Sequence, residues 1–162
     1  MEKYGNNLFT VEAPQVVCEK CVEYQITVKR NDIQAQELNS PDASAKYALQ
    51  FYCDDISIYE SAFIILLNNS LKTIGWAKIA QGGIASTMVD VRLIAKYAIE
   101  SLACNVVFVH NHPSGRAKPS LADNKLTQRI KEGLALLDVK LVDSIIITPN
   151  GEYYSFQQEG MM

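Results

Sequence analysis

Apolar positions along the chain change their spacing from segment to segment, and the spacing predicts the elements. Residues 22–29 (VEYQITVK) mix polar and β-branched side chains and read as a first strand. Residues 31–40 are a polar connection, and Ser40-Pro41 then has the form of an N-cap with proline at the first helical position. A helix is expected over 41–52, with Ala45, Ala48, Leu49 and Tyr52 on its apolar side. Residues 60–67 and 72–81 read as strands joined by the turn Asn68-Asn69-Ser70, a hairpin that Gly82-Gly83 ends. Asp90 caps a helix carrying Val91, Ile94, Ala95, Ala98, Ile99 and Leu102 at i, i+3, i+4, i+7 spacing. Residues 106–109 (VVFV) form a continuous apolar run, as in a strand covered on both faces. A loop is expected over 110–119, and Ser120 opens a long helix to about residue 137. Strands at 141–148 and 152–156 flank the turn Pro149-Asn150-Gly151.

Strands therefore alternate with helices, while two strand pairs are joined by short turns. That combination predicts an α/β fold with a mixed sheet flanked by helices, not a fully parallel doubly wound sheet. An irregular N-terminal arm is expected at 1–20, one domain at 21–157 and a short tail at 158–162. A length of 162 residues suits one domain with its own core. The net charge of −3, without a basic stripe, gives no support for direct nucleic-acid binding. No apolar run reaches the ~18 residues of a spanning helix, and the N-terminus lacks the pattern of a signal peptide. Four cysteines are too few for a disulfide scaffold in a chain of this size. The expectation is a cytoplasmic protein without membrane contact.

The chemistry concentrates in one place. The only two histidines, His110 and His112, are two residues apart, so in extended chain both rings reach the same face. Pro113 holds His112 toward extended geometry, and the apolar run at 106–109 delivers His110 to a strand's carboxyl end. Pro113, Ser114, Gly115 and Pro119 are residue types that turn a loop back. With Ser120 as N-cap, Asp123 is the third residue of the next helix, close to that loop. Two histidines and one carboxylate leave a fourth tetrahedral position open, as catalytic rather than structural zinc requires. One zinc ion on His110, His112 and Asp123 is the functional expectation. The competing reading is that Ser120-x-x-Asp123 is a capping box and needs no metal.

The segment HNHPSGRAKPSLAD resembles the JAMM (MPN/JAB) metallohydrolase pattern of His-x-His, ten residues, Asp. Asn111, Pro113-Ser114-Gly115 and Pro119-Ser120 are similar to its RadC branch in particular. The resemblance runs from about residue 58 to 156 and includes LVDSIIITPNGEYYSF. It implies a mixed sheet with helices on it, in the layering of MPN/JAB domains and cytidine deaminases. It also implies Zn2+ and hydrolysis of a peptide or isopeptide bond in a peptide or protein substrate. By the same resemblance, Glu60 is the catalytic acid–base and Ser120 assists an oxyanion. Read without the resemblance, Glu60 is a charge at a strand edge, and Ser120 is a helix cap. Glu100 competes with Glu60, but its place near a helix end favours solvent. RadC-like chains usually have Asp-His where this one has Asp143-Ser144, and no helix-hairpin-helix pattern is recognisable in residues 1–55.

Other features carry less. A cytidine deaminase would need His-x-Glu and Pro-Cys-x-x-Cys, and neither is present. Cys18-Glu19-Lys20-Cys21 lacks the second close pair of a zinc knuckle and reads as incidental. Trp76 and the tyrosines lack interleaved basic residues and read as packing. The alternative to an enzyme is a non-catalytic module for protein interaction or, by the RadC label, DNA repair. The sequence does not set an oligomeric state.

Overall fold

Two apolar runs become adjacent interior strands of the sheet. β1 (Ser61–Leu67, SAFIILL) and β3 (Asn105–Asn111, NVVFVHN) are buried at every position. Full burial follows from their place in the sheet, because each has a strand on both sides and helices over both faces. The computed structural model describes Lys29 and residues 33–82 and 89–162, all but Lys29 belonging to one compact unit, Asn31–Met162. Except for Lys29, the strand expected at 22–29 lies outside the described residues, as do the arm at 1–20 and the pair Cys18 and Cys21.

The sheet has five strands in the order β2-β1-β3-β4-β5, with β2 at Thr73–Gln81, β4 at Lys140–Ile147 and β5 at Tyr153–Ser155. β1 runs antiparallel to both β2 and β3, β3 is parallel to β4, and β4 is antiparallel to β5. The sheet is therefore mixed, as the turns predict. Helix α1 (Pro41–Leu49) packs on one face, where Tyr47 and Ala48 meet Phe63, Ile65, Val107 and Ile145. Helices α2 (Val91–Glu100) and α3 (Leu121–Ala135) cover the other, where Ile94, Ala98, Ile130 and Leu134 meet Ile64, Val106 and Phe108. Trp76 stacks on Phe51 with ring centroids 4.5 Å apart, a packing role as expected.

Several boundaries differ from the sequence pattern by a residue or two, and three of the differences have consequences. α1 ends at Leu49, not Tyr52; Tyr52 turns inward and its hydroxyl donates to the Ser61 carbonyl at 3.1 Å. α2 ends at Glu100, so the apolar stripe does not continue to Leu102, which is 84% exposed. β3 runs on through His110 and Asn111, so His110 sits on a strand rather than in a loop. The reason is pairing: Ala62 of β1 lies opposite His110, and β4 pairs with both His110 and Asn111. After β5 the chain turns back, the Met161 N–H donating to the Phe156 carbonyl at 2.8 Å, and Met162 packs against the core.

Candidate metal centre

Three elements meet at the carboxyl end of β3. His110 is its sixth residue and is 3% exposed. His112 follows directly, its backbone N–H donating to the Ile147 carbonyl of β4 at 2.9 Å, so extended pairing persists one residue past the strand. Both rings then lie on one face, as i and i+2 spacing requires. The chain turns after Pro113, with Gly115 at φ +76°, a left-handed conformation that glycine adopts without steric cost. α3 begins at Leu121 and brings Asp123 back to the histidines.

The two histidine nitrogens and the Asp123 carboxylate converge in a triangle of ligand groups, the carboxylate meeting each ring through a different oxygen. His110 Nε2 is 3.3 Å from His112 Nε2 and 3.2 Å from Asp123 Oδ1, and His112 Nε2 is 3.5 Å from Asp123 Oδ2. Tetrahedral zinc with bonds of ~2.0–2.1 Å sets its ligands ~3.3–3.4 Å apart, so the separations of His110 Nε2 from His112 Nε2 and from Asp123 Oδ1 have the size the ion needs. The donor set fits as well. Two imidazole nitrogens facing each other at 3.3 Å cannot both carry a hydrogen between them, whereas two lone pairs suit a cation. The His112 ring is held from behind, because its Nδ1–H donates to the Arg116 carbonyl at 2.8 Å, and in the neutral ring this leaves Nε2 as the lone-pair nitrogen. His112 and Asp123 keep 17% and 13% exposure, so the triangle is open to solvent on one side.

Electrostatics match this arrangement. Burial pushes the Asp123 carboxyl up, but hydrogen bonds from His110, His112 and Ser120 outweigh it and hold the group far below the ordinary carboxylate range. The His112 imidazole is held above its ordinary value, chiefly by Asp123 and secondarily by the Arg116 carbonyl, against the opposing effect of burial. Asp123 also belongs to a complete capping box: its N–H donates to Ser120 Oγ at 3.2 Å, and Ser120 N–H donates to its Oδ2 at 2.6 Å. The capping reading is thus correct for both residues, and it coexists with the triangle. Ser120 Oγ accepts from Asp123 N–H in the cap, and the Ser120 side chain also steadies the Asp123 carboxylate.

Glu60 is the residue before β1, and its carbonyl accepts from Gly82 N–H at 2.9 Å. Ala62 is opposite His110, so Glu60, two residues earlier, projects to the same face as the histidines. It is half-buried and feels all three members of the triangle: burial raises its carboxyl above the ordinary value, His110 and His112 lower it, and Asp123 raises it. Glu100, the competitor, is exposed at the C-terminal end of α2. It precedes the start of β3, a strand length of roughly 17 Å from His110 at ~3.3 Å per residue.

Sequence reasoning missed what Asn111 does between the histidines. Its side chain is 0% exposed and points to the opposite face, where it makes three hydrogen bonds. The available signal was a polar residue inside a fully buried strand, which is costly unless every polar atom is partnered. At the departure noted above, Ser144 Oγ is 2.8 Å from Thr127 Oγ1 and ties β4 to α3.

Residues 38–161 match the RadC-like JAB domain family, a span that contains every element just described. The chain belongs to that family. Its relatives agree: it is 47% identical over 103 residues to a UPF0758 protein of Flavobacterium johnsoniae, covering 64% of this chain and 44% of that protein. A UPF0758 protein of Porphyromonas gingivalis is 42% identical over 103 residues, covering 64% of this chain and 45% of the other. One from Shewanella baltica is 34% identical over 127 residues, covering 78% and 55%. This RadC-like chain thus spans about half the length of the curated relatives it matches.

Proposed function

We propose that this RadC-like JAB domain is a zinc-dependent hydrolase of amide bonds, peptide or isopeptide. The observation that carries the reading is the His110–His112–Asp123 triangle with a fourth, non-ligating acid, Glu60, on the same face and within electrostatic reach. When bound there, zinc supplies a Lewis acid that polarises the scissile carbonyl and makes water acidic enough to react near neutral pH. His110, His112 and Asp123 hold the ion. Glu60 removes a proton from the attacking water as the C–O bond forms, and returns it to the amine nitrogen as the C–N bond breaks. Burial helps, because a carboxylate raised toward the working pH is a stronger base for the proton of water. The Ser120 hydroxyl donates to the oxygen that gains negative charge.

Elemental analysis of protein purified without chelator tests the metal half, with about one equivalent of zinc per chain expected. His110→Ala combined with His112→Ala abolishes uptake while the fold persists, since neither histidine is among the apolar residues that build the two cores. Glu60→Gln keeps the zinc and lowers hydrolysis of a quenched-fluorescent peptide library by ~10²–10⁴-fold. Protein that is metal-free and refuses added zinc overturns the reading.

A further inference from the structure

Asn111 sits between the two histidines, yet nothing in the proposed chemistry uses it. Its amide is completely partnered. Oδ1 accepts from Ser61 N–H at 2.7 Å, and Nδ2 donates to the Ile56 carbonyl at 2.6 Å and the Tyr59 carbonyl at 2.9 Å. All three partners lie on the segment 56–61, immediately around Glu60. This segment has little structure of its own. A short 3₁₀ turn at Asp54–Ser57 ends there, Ile58 and Tyr59 are exposed, and β1 begins only at Ser61. An amide is the one neutral side-chain group that offers two donors and an acceptor in a fixed plane, and this site uses all of them.

We infer that Asn111 is a positioning residue for Glu60: its amide ties the segment bearing that acid to the strand bearing the histidines, so both move as one body. The inference rests on the proposed hydrolytic reading. Geometry explains why the tie comes from this residue. Alternation along the strand sends His110 and His112 to the face of the triangle and Asn111 to the other, so one tripeptide holds the ion on one side and fixes the base from the other. A misplacement of the base by ~1 Å is enough to cost ~10²-fold in rate.

Two variants test it. Asn111→Leu removes all three hydrogen bonds at similar size. Asn111→Asp keeps the acceptor for Ser61 N–H but turns the donors toward Ile56 and Tyr59 into an acceptor, and it serves alone if the leucine variant does not fold. Zinc content, competition with a chromophoric chelator and amide hydrogen exchange are read on the full chain. The expected result for Asn111→Leu is zinc affinity within about threefold of wild type. Exchange at the Ser61 amide rises at least tenfold, and exchange at Val107 and Phe108 does not change. Asn111→Asp keeps the zinc, speeds exchange at the Ile58 and Tyr59 amides and leaves Ser61 less affected. Hydrolysis of the peptide library falls about as far as in Glu60→Gln, and the Asn111→Asp, Glu60→Gln double variant is no slower than Glu60→Gln alone. Unchanged Ser61 exchange, loss of zinc in either variant, or losses of hydrolysis that add in the double variant each overturn the inference. Absence of hydrolysis in wild type counts against the hydrolytic reading, and the exchange and metal measurements still decide whether the tie exists.

Discussion

Asp143 is a carboxylate placed where charge is expensive. It is 4% exposed, and it accepts from Ser144 N–H at 2.7 Å, Ser155 Oγ at 2.6 Å and Gln157 N–H at 3.0 Å, which joins β4 to the chain after β5. Burial raises its carboxyl above the ordinary value, and the three hydrogen bonds only partly offset this. A carboxyl raised in the fold binds its proton more tightly there than in the unfolded chain. Its contribution is therefore fully present below the unfolded value and is lost as pH rises through the folded one. Asp143→Asn has no such proton. Urea unfolding of both proteins from pH 3 to 8 is expected to show wild type losing stability relative to the variant as pH rises, by about 1.4 kcal/mol per unit of raised pKa. A gap that moves the other way contradicts the assignment. At this scale the sequence was legible wherever the partners are close along the chain. His110, His112 and Asp123 fall within one short span, and their residue types carry their chemistry with them. Asn111 and Asp143 were not legible, because their meaning depends on atoms up to 55 residues away that only the fold brings near.

The element boundaries show where periodicity stops being informative. The stripe through α2 continues on paper to Leu102, but the helix ends in a Schellman cap. Leu102 N–H donates to Ile99 O at 3.1 Å and Ala103 N–H to Ala98 O at 2.9 Å, with Leu102 itself at φ +54°. A stripe counts apolar residues and cannot see the backbone change hand. Leucine in that conformation costs ~1–2 kcal/mol, and its side chain is 84% exposed and buries little in return. Leu102→Gly is expected to stabilise the fold by about 0.5–1 kcal/mol, because glycine's greater freedom when unfolded offsets part of the relief. Thermal unfolding measures it, and a lower melting temperature contradicts it. The caps at Ser40, Asp90 and Ser120, by contrast, were readable from sequence and are present, since each depends on one side chain and a backbone N–H two or three residues ahead.

For the whole molecule, sequence gave the mixed sheet from its short turns but not the strand order, because which strands sit side by side is decided by packing on two helix-covered faces. Charge also acts at this scale. With 15 basic and 18 acidic residues, the chain has no excess to neutralise a phosphate backbone. Fluorescence anisotropy with duplex DNA at physiological salt is expected to show no sub-micromolar binding, and salt-resistant binding there would favour a DNA-handling role. Among the described residues no helix is long and apolar enough to cross a membrane. The pairing of β1 with β3 has a kinetic side. His110 and Asp123 lie on a single strand-to-helix connection, thirteen residues apart, whereas Glu60 reaches them across a loop of fifty. Closing the longer loop costs more chain entropy and slows assembly. On the proposed reading, loop closure alone favours the ion-holding span over the distant acid, so a newly made chain would be able to hold before it could cut.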